Sequence, residues 1–212
     1  MKKFTLLSLA ILFAASSISF SQLNDEINND YDKNALMFGP YLGWSVAGVN
    51  TTGAPTGLKV AVGSSSSPNF GIMVYKPTDI SSNSGYAGLL GIKHVPYGYN
   101  NGAYKDFYDM SYFIVGGLFN LSGFTIGLDV SFPMTLDHID PSYEVASNNL
   151  NITADLKLGG MFKLFENKYG IFNIFINAGY MVNEVHKNVV GLNPKPAHIE
   201  VGLDYLFNTS NF

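Results

Sequence analysis

His94, His138, His186 and His198 are the side chains in this sequence best suited to hold a metal or move a proton near neutral pH. Asp137, Asp140 and Glu184 lie near them along the chain and are the carboxylates that would complete a zinc site. No two histidines stand at i, i+2 or i, i+4 within one element, the spacing that would put two ring nitrogens on one side. They read as solvated loop residues, and no metal or cofactor is expected. Hydrolytic chemistry would need a serine beside a histidine base and an orienting acid. Ser142 and His138 share one segment, but serine is common in any loop, so no enzyme is expected. With no cysteine in the chain, disulfides, thiolate metal sites and cysteine nucleophiles are excluded. All twelve basic residues are lysine and the net charge is −4, which argues against nucleic acid as a partner.

A second group of charges is more informative, because it falls inside regular alternation. Asp129, Asp155, Lys157, Lys163, Glu200 and Asp204 sit in segments whose residues alternate apolar and polar with period two, the pattern of a strand with one apolar face. From Phe124 to Met134 one side is Phe124, Ile126, Leu128, Val130, Phe132 and Met134, and Asp129 is on the other. Ile152 to Leu164, Gly170 to Val182 and Ile199 to Phe207 repeat it. Leu36 to Val49, Phe70 to Lys76, Tyr86 to Val95 and Tyr108 to Leu121 complete a set of eight strands. The alternating residues 57–63 belong either to strand two or to the loop before it.

The gaps between these strands fall into two alternating classes. Residues 77–85, 122–123 and 166–168 are short, whereas 50–69, 96–107, 135–151 and 183–197 are long and hold six of the nine prolines. Short turns at one end and long loops at the other, on an even number of strands, describe a membrane barrel with both termini in the periplasm. The expected fold is therefore all-β, an eight-stranded antiparallel transmembrane up-and-down barrel with short periplasmic turns and long extracellular loops. A soluble barrel with the apolar face inward would show the same alternation. Charge favours the membrane: only 13% of residues are charged, and the polar faces are mostly Gly, Ser, Thr and Asn, small enough for the narrow interior of eight strands. Trp44, Tyr75, Tyr86, Tyr97, Tyr169, Tyr180 and Tyr205, near the strand ends, read as interface girdles.

The N-terminus fits an exported protein. Lys2 and Lys3 precede an apolar run from Phe4 to Ala15, and Ser19 and Ser21 place a cleavage site after Ser21. The run falls short of the roughly 20 residues a spanning helix needs. Residues 1–21 are a signal peptide, 22–34 a polar periplasmic lead-in, 35–207 the barrel and 208–212 a C-terminal tail. Removing Lys2 and Lys3 leaves ten lysines against sixteen acids, a net charge of −6.

The segments FGIMVYKP, GYAGLLGIKH, FNLSGFTIGLDVSF, GGMFKLFENKYGIF and IEVGLDYLF resemble the small outer-membrane β-barrel proteins of Bacteroidota described as PorT-like, and more loosely OmpA and OmpX barrels. The resemblance covers residues 36–207 and implies an outer-membrane location. The residues themselves lead to a lumen filled by side chains, since charges buried in a narrow interior must pair. Lys157 and Asp129, on neighbouring strands and inward by parity, are the pair expected first. A structural or protein-interaction role follows, such as an accessory subunit of an envelope complex. The alternatives are a small-solute transporter or channel and a soluble secreted barrel. Partners are outer-membrane lipid, the barrel-insertion machinery during assembly and other outer-membrane proteins. Phe207 and Phe212 are the two candidates for a C-terminal assembly signal. Phe207 keeps the outward parity, so the last strand is expected to end there and the last five residues to trail free.

Overall fold

The computed structural model of the chain describes residues 35–52, 59–78, 84–100, 105–139, 142–145, 149–167, 169–187 and 193–211. Residues 1–21, expected as a signal peptide, residues 22–34, expected as a lead-in, and Phe212 lie outside them. Eight long strands carry the fold: β1 (Met37–Thr52), β4 (Asn69–Thr78), β5 (Ser84–Asn100), β6 (Lys105–Leu121), β7 (Phe124–Ile139), β9 (Thr153–Asn167), β10 (Gly170–Met181) and β11 (Asn193–Asn208). Three short ones, β2 (Lys59–Ala61), β3 (Gly63–Ser64) and β8 (Ser142–Val145), pair with β5, β1 and β7. Each long strand runs antiparallel to its chain neighbours, and β11 pairs with β1 from Met37↔Asn208 to Thr52↔Asn193. That last ladder closes the sheet into an eight-stranded barrel.

Alternation sets which side of each strand faces in. In β7, Phe124, Ile126, Leu128 and Val130 are exposed while Thr125, Asp129 and Ser131 are buried. All eight long strands turn apolar side chains outward, and β5 and β6 carry apolar residues on the inner side as well. The β6–β7 hairpin turns through Ser122 and Gly123 with φ of 52° and 94°, a two-residue turn whose twist suits the flanking strands. The Gly123 N–H donates to Asn120 Oδ1, fixing the turn.

Strand ends differ from the sequence reading. β5 and β6 stay paired as far as Asn100↔Lys105, β7 continues to Ile139 beside β8, and β11 begins at Asn193. Much of the stretches expected as long loops, 96–107, 135–151 and 183–197, is therefore ladder. Backbone pairing needs no apolar side chains, so it persists beyond the point where the outer face stops alternating. Residues 59–64 prolong the line of β4 beyond a break at 65–68, with β3 on β1 and β2 on β5. Tyr75 and Tyr97 point inward and are buried, so they belong to the interior and not to a girdle. Nor do residues 209–211 trail free: they form a 3-10 turn, and the Thr209 N–H and hydroxyl both donate to the Leu36 carbonyl.

The interior is layered. Toward the turn end, Met37, Met73, Leu89, Leu118, Met161, Phe175 and Leu206 form an apolar layer; toward the loop end, Val95, Tyr97, Met110, Tyr112, Leu136, Leu150 and Met181 form another. Between them lies a layer of charge.

Candidate functional site

Lys157 Nζ lies 2.6 Å from Asp129 Oδ2, the pair expected from parity. The two sit on adjacent strands: Gly127 of β7 is the register partner of Lys157, and Asp129 of Asp155. Two acids facing each other on neighbouring strands would repel. Lys93, from β5, resolves this by reaching across the lumen to Asp155 Oδ2 at 2.7 Å, with Asp129 Oδ2 at 3.6 Å. Lys157 also stands 3.7 Å from Glu200 Oε2. His198 Nε2 is 3.3 Å from Asp155 Oδ2. Asn69 finishes the ring: its side-chain amide donates to Glu200 Oε1 and Ser45 Oγ, both at 2.7 Å, and its Oδ1 accepts the His94 backbone N–H. Three acids, two lysines and a histidine thus share one layer, with Asp129, Asp155 and Lys93 at 0% exposure.

Small residues make room for these groups. A Cβ on Gly116 would come within 2.0 Å of Asp129 Oδ1. The inward glycine is what lets the carboxylate lie flat against β6.

Asp204 is buried apart from this ring, nearer the turn end, where the Asn173 side-chain amide donates to its Oδ1 at 2.7 Å. Lys163 does not join the ring either. It keeps the inward parity and stands opposite Asn173, but it lies six residues past Lys157 along β9, near the turn, where it pairs with Glu166 and is partly exposed. Lys93, Asn69 and His198 are members of the ring that the sequence reading missed. In β5 the inward positions before Lys93 are Ala87, Leu89 and Gly91, which gave no polar face to notice.

The histidines fare differently from the loop assignment. His198 is inside the barrel wall and buried, because β11 begins five residues before it. His94 lies on β5 opposite Ser111, with its Nδ1 at 3.0 Å from Ser111 Oγ and 4.0 Å from Asp109 Oδ1. Serine and acid meet the same ring nitrogen, whereas a nucleophile triad needs them on opposite nitrogens. Asp109 Oδ2 instead accepts from the Ser66 hydroxyl and backbone N–H. His186 Nε2 is 2.8 Å from the Tyr97 hydroxyl, and burial holds its pKa below the ordinary value. The side chains of His138, Asp140 and Ser142 lie outside the described residues. Asp137 is exposed and Glu184 half-buried, and no group of three or more metal-type ligands occurs among the described residues.

Beside the ring, Tyr41, Met73, Lys157, Phe175, Asn177 and Glu200 line a void of about 10 Å³. That is room for about one water. On the outer wall near the turns, Phe165 stacks on Phe172 with centroids 5.1 Å apart, and Tyr205 meets Phe207 edge-on at 4.8 Å. Phe38 of β1 extends this aromatic patch across the closing seam, 6.1 Å from Phe207.

No protein-family model and no curated protein matches the chain. Among solved structures it is similar to Ail, the attachment invasion locus protein of Yersinia pestis, seen in complex with the heparin analogue sucrose octasulfate. Identity is 11% and the TM-score 0.39, over 82% of this chain and 99% of that one. It is similar to the outer membrane protein AlkL in DMPC lipid bilayers at 11% identity and a TM-score of 0.43, over 86% of this chain and 94% of that one. For the outer membrane protein OprG of Pseudomonas aeruginosa the values are 11% and 0.35, over 84% and 98%. The likeness is one of strand layout and carries nothing about ligand or role.

Proposed function

We propose that the mature chain is an outer-membrane barrel with a structural or protein-interaction role, and that it does not act as an open pore. The outer wall carries this reading. Every long strand turns large apolar side chains outward, among them Trp44, Ile72, Leu90, Phe113, Leu156 and Val201. Soluble monomers rarely expose more than a few hundred Å² of continuous apolar surface. A closed barrel satisfies its own backbone groups, which is the condition for standing in hydrocarbon. Both points weigh against the soluble secreted alternative. The turn end with both termini would face the periplasm and the loop end the outside.

Against a pore stands the lumen content, since eight strands leave an interior that side chains can fill. With ion pairs across the middle and apolar layers on either side, the chain's working surfaces are its loop end and its lipid-facing wall. Partners would then be outer-membrane lipid, the insertion machinery and other outer-membrane proteins, as in an accessory subunit of an envelope complex of the PorT-like kind. The sequence gives no reason to look for an enzyme.

Two measurements test this. Heat-modifiable gel migration of the protein in the detergent-extracted envelope is expected, and recovery in soluble fractions would overturn the membrane reading. In planar bilayers no stable conductance is expected; large single-channel steps would favour a small-solute channel. Crosslinking in cells with mass spectrometry would name the partner.

A further inference from the structure

Three neighbouring-strand ladders stop short at the loop end, and each stops at a proline on the side that would have donated the next hydrogen bond. The Asn208 N–H reaches the Tyr169 carbonyl, and N–H groups alternate sides along a strand, so even-numbered residues of β11 point theirs toward β10. This ladder ends at Tyr180↔Ala197, and the next two donors would be residues 196 and 194, both proline. The Met161 N–H reaches the Gly123 carbonyl, which by the same alternation turns the odd residues of β7 toward β9. Their ladder ends at Ser131↔Thr153, and the next donor would be Pro133. On β5 the His94 N–H faces β4 and is taken by Asn69 Oδ1. Here the ladder ends at Phe70↔Ile92, with Pro96 and Pro68 at the following donor positions.

The segments released at these seams do not point away as loops. Residues 149–151 and 183–187 bind each other: Asn151 N–H donates to the Val185 carbonyl, Lys187 N–H to the Asn149 carbonyl, and the Asn151 side-chain amide to the carbonyls of Glu184 and His186. Leu150 and Val185 are buried in the loop-end apolar layer. His186, just beyond β10, touches Tyr97 of β5, which in the eight-strand ring stands opposite β10. A contact between opposite strands requires the segment to cross the mouth.

We propose that these prolines build a lid: by removing the donors that would extend the wall, they turn 149–151 and 183–187 inward over the charged layer. The lid is a separate cooperative unit, held by its own hydrogen bonds and by Tyr97, above the point where the β7–β9 and β10–β11 ladders end. A proline is tolerated only where no ladder donor is needed, so Pro133, Pro194 and Pro196 mark where their ladders end, whereas beyond Pro96 the wall re-forms with β2 on β5.

The test is amide hydrogen exchange on the full-length barrel in detergent. In the wild-type chain the Asn151 and Lys187 amides are expected to exchange together and faster than the Ile176 amide in the β9–β10–β11 wall. Exchange of all three in one step would overturn the separate lid. In Pro194→Thr/Pro196→Thr, the ladder is expected to zip upward, slowing exchange at residues 181 and 183 and speeding it at Asn151, each by about tenfold. If that variant shows heat-modifiable migration but keeps wild-type protection at Asn151, the prolines do not direct the lid. Pro133→Thr is the second variant, with the same two outcomes read at Asn151.

Discussion

Two acids buried in the same lumen are held in opposite ways. Asp129 lies between two lysines, Lys157 at 2.6 Å and Lys93 at 3.6 Å. Asp204 is equally shut off from water, but its carboxylate is held by a neutral amide, Asn173. Coulomb attraction dominates the first site and a hydrogen bond the second. Removing a partner at the first leaves a buried charge uncompensated, whereas the second site asks only for donors and acceptors of matching shape.

The largest effect should therefore come from Lys157→Met. It removes the closest cation from Asp129 and also leaves Glu200 with Asn69 as its remaining contact. A loss of roughly 3 to 5 kcal/mol in unfolding stability in detergent is expected. No loss beyond error would mean that Lys93 alone balances both aspartates. Comparing Lys157→Met with Lys157→Met/Asp129→Asn sharpens the point, since the double variant should recover part of the loss.

How much of this was legible beforehand depended on the side of the strand being read. The outer face alternates because every second residue is apolar, and that pattern gave the eight strands and the inward parity of Asp129, Asp155, Lys157, Glu200 and Asp204. The inner face has no such regularity. Lys93 follows three small or apolar inward residues, and its role depends on β9 and β7 lying across the lumen, which one strand's sequence does not contain. His198 adjoins the proline-bearing gap 183–197, just before the alternation that starts at Ile199, and so reads as a loop residue; that gap holds Pro194 and Pro196. They stand instead at an open ladder edge, where a missing N–H costs nothing. Lys163 keeps its inward parity but stands six residues from Lys157 along β9, toward the turn, and parity says nothing about depth in the lumen.

The next effect is at the loop end, where a neutral contact again replaces an ion pair. Tyr97→Phe removes the hydroxyl that meets His186 Nε2 while keeping the ring that stacks on Tyr108 at 4.9 Å. A loss of about 1 kcal/mol is expected, read as faster exchange at Asn151 with the wall amides unchanged. Equal acceleration in the wall would show that the lid and barrel open as one.

Acidification should loosen the same contact more gently. Burial lowers the His186 pKa from its ordinary 6.5, so the folded state favours the neutral ring. For a group of this sign the stabilisation is present above the unfolded pKa and is lost as pH falls through the folded one. Exchange at Asn151 and Lys187, corrected for intrinsic rates, should speed up as the pH is lowered from 7 to 5. His186→Gln should flatten that dependence. A slope unchanged in the variant would assign it to another group.

The smallest effect is expected where the comparison began. Asp204→Asn keeps the shape of the side chain and puts an amide beside Asn173, and with amide rotation one can donate to the other. Since the Asp204 carboxylate is held by the neutral Asn173 amide, unfolding stability should change by less than about 1 kcal/mol in either direction. Asp129→Asn, the same chemical change, takes from Lys157 its carboxylate at 2.6 Å and leaves it Glu200 at 3.7 Å, and should cost several times more. Similar losses for the two variants would show that Asp204 is tied to a cation after all, and that the lumen holds one charge network extending to the turn end.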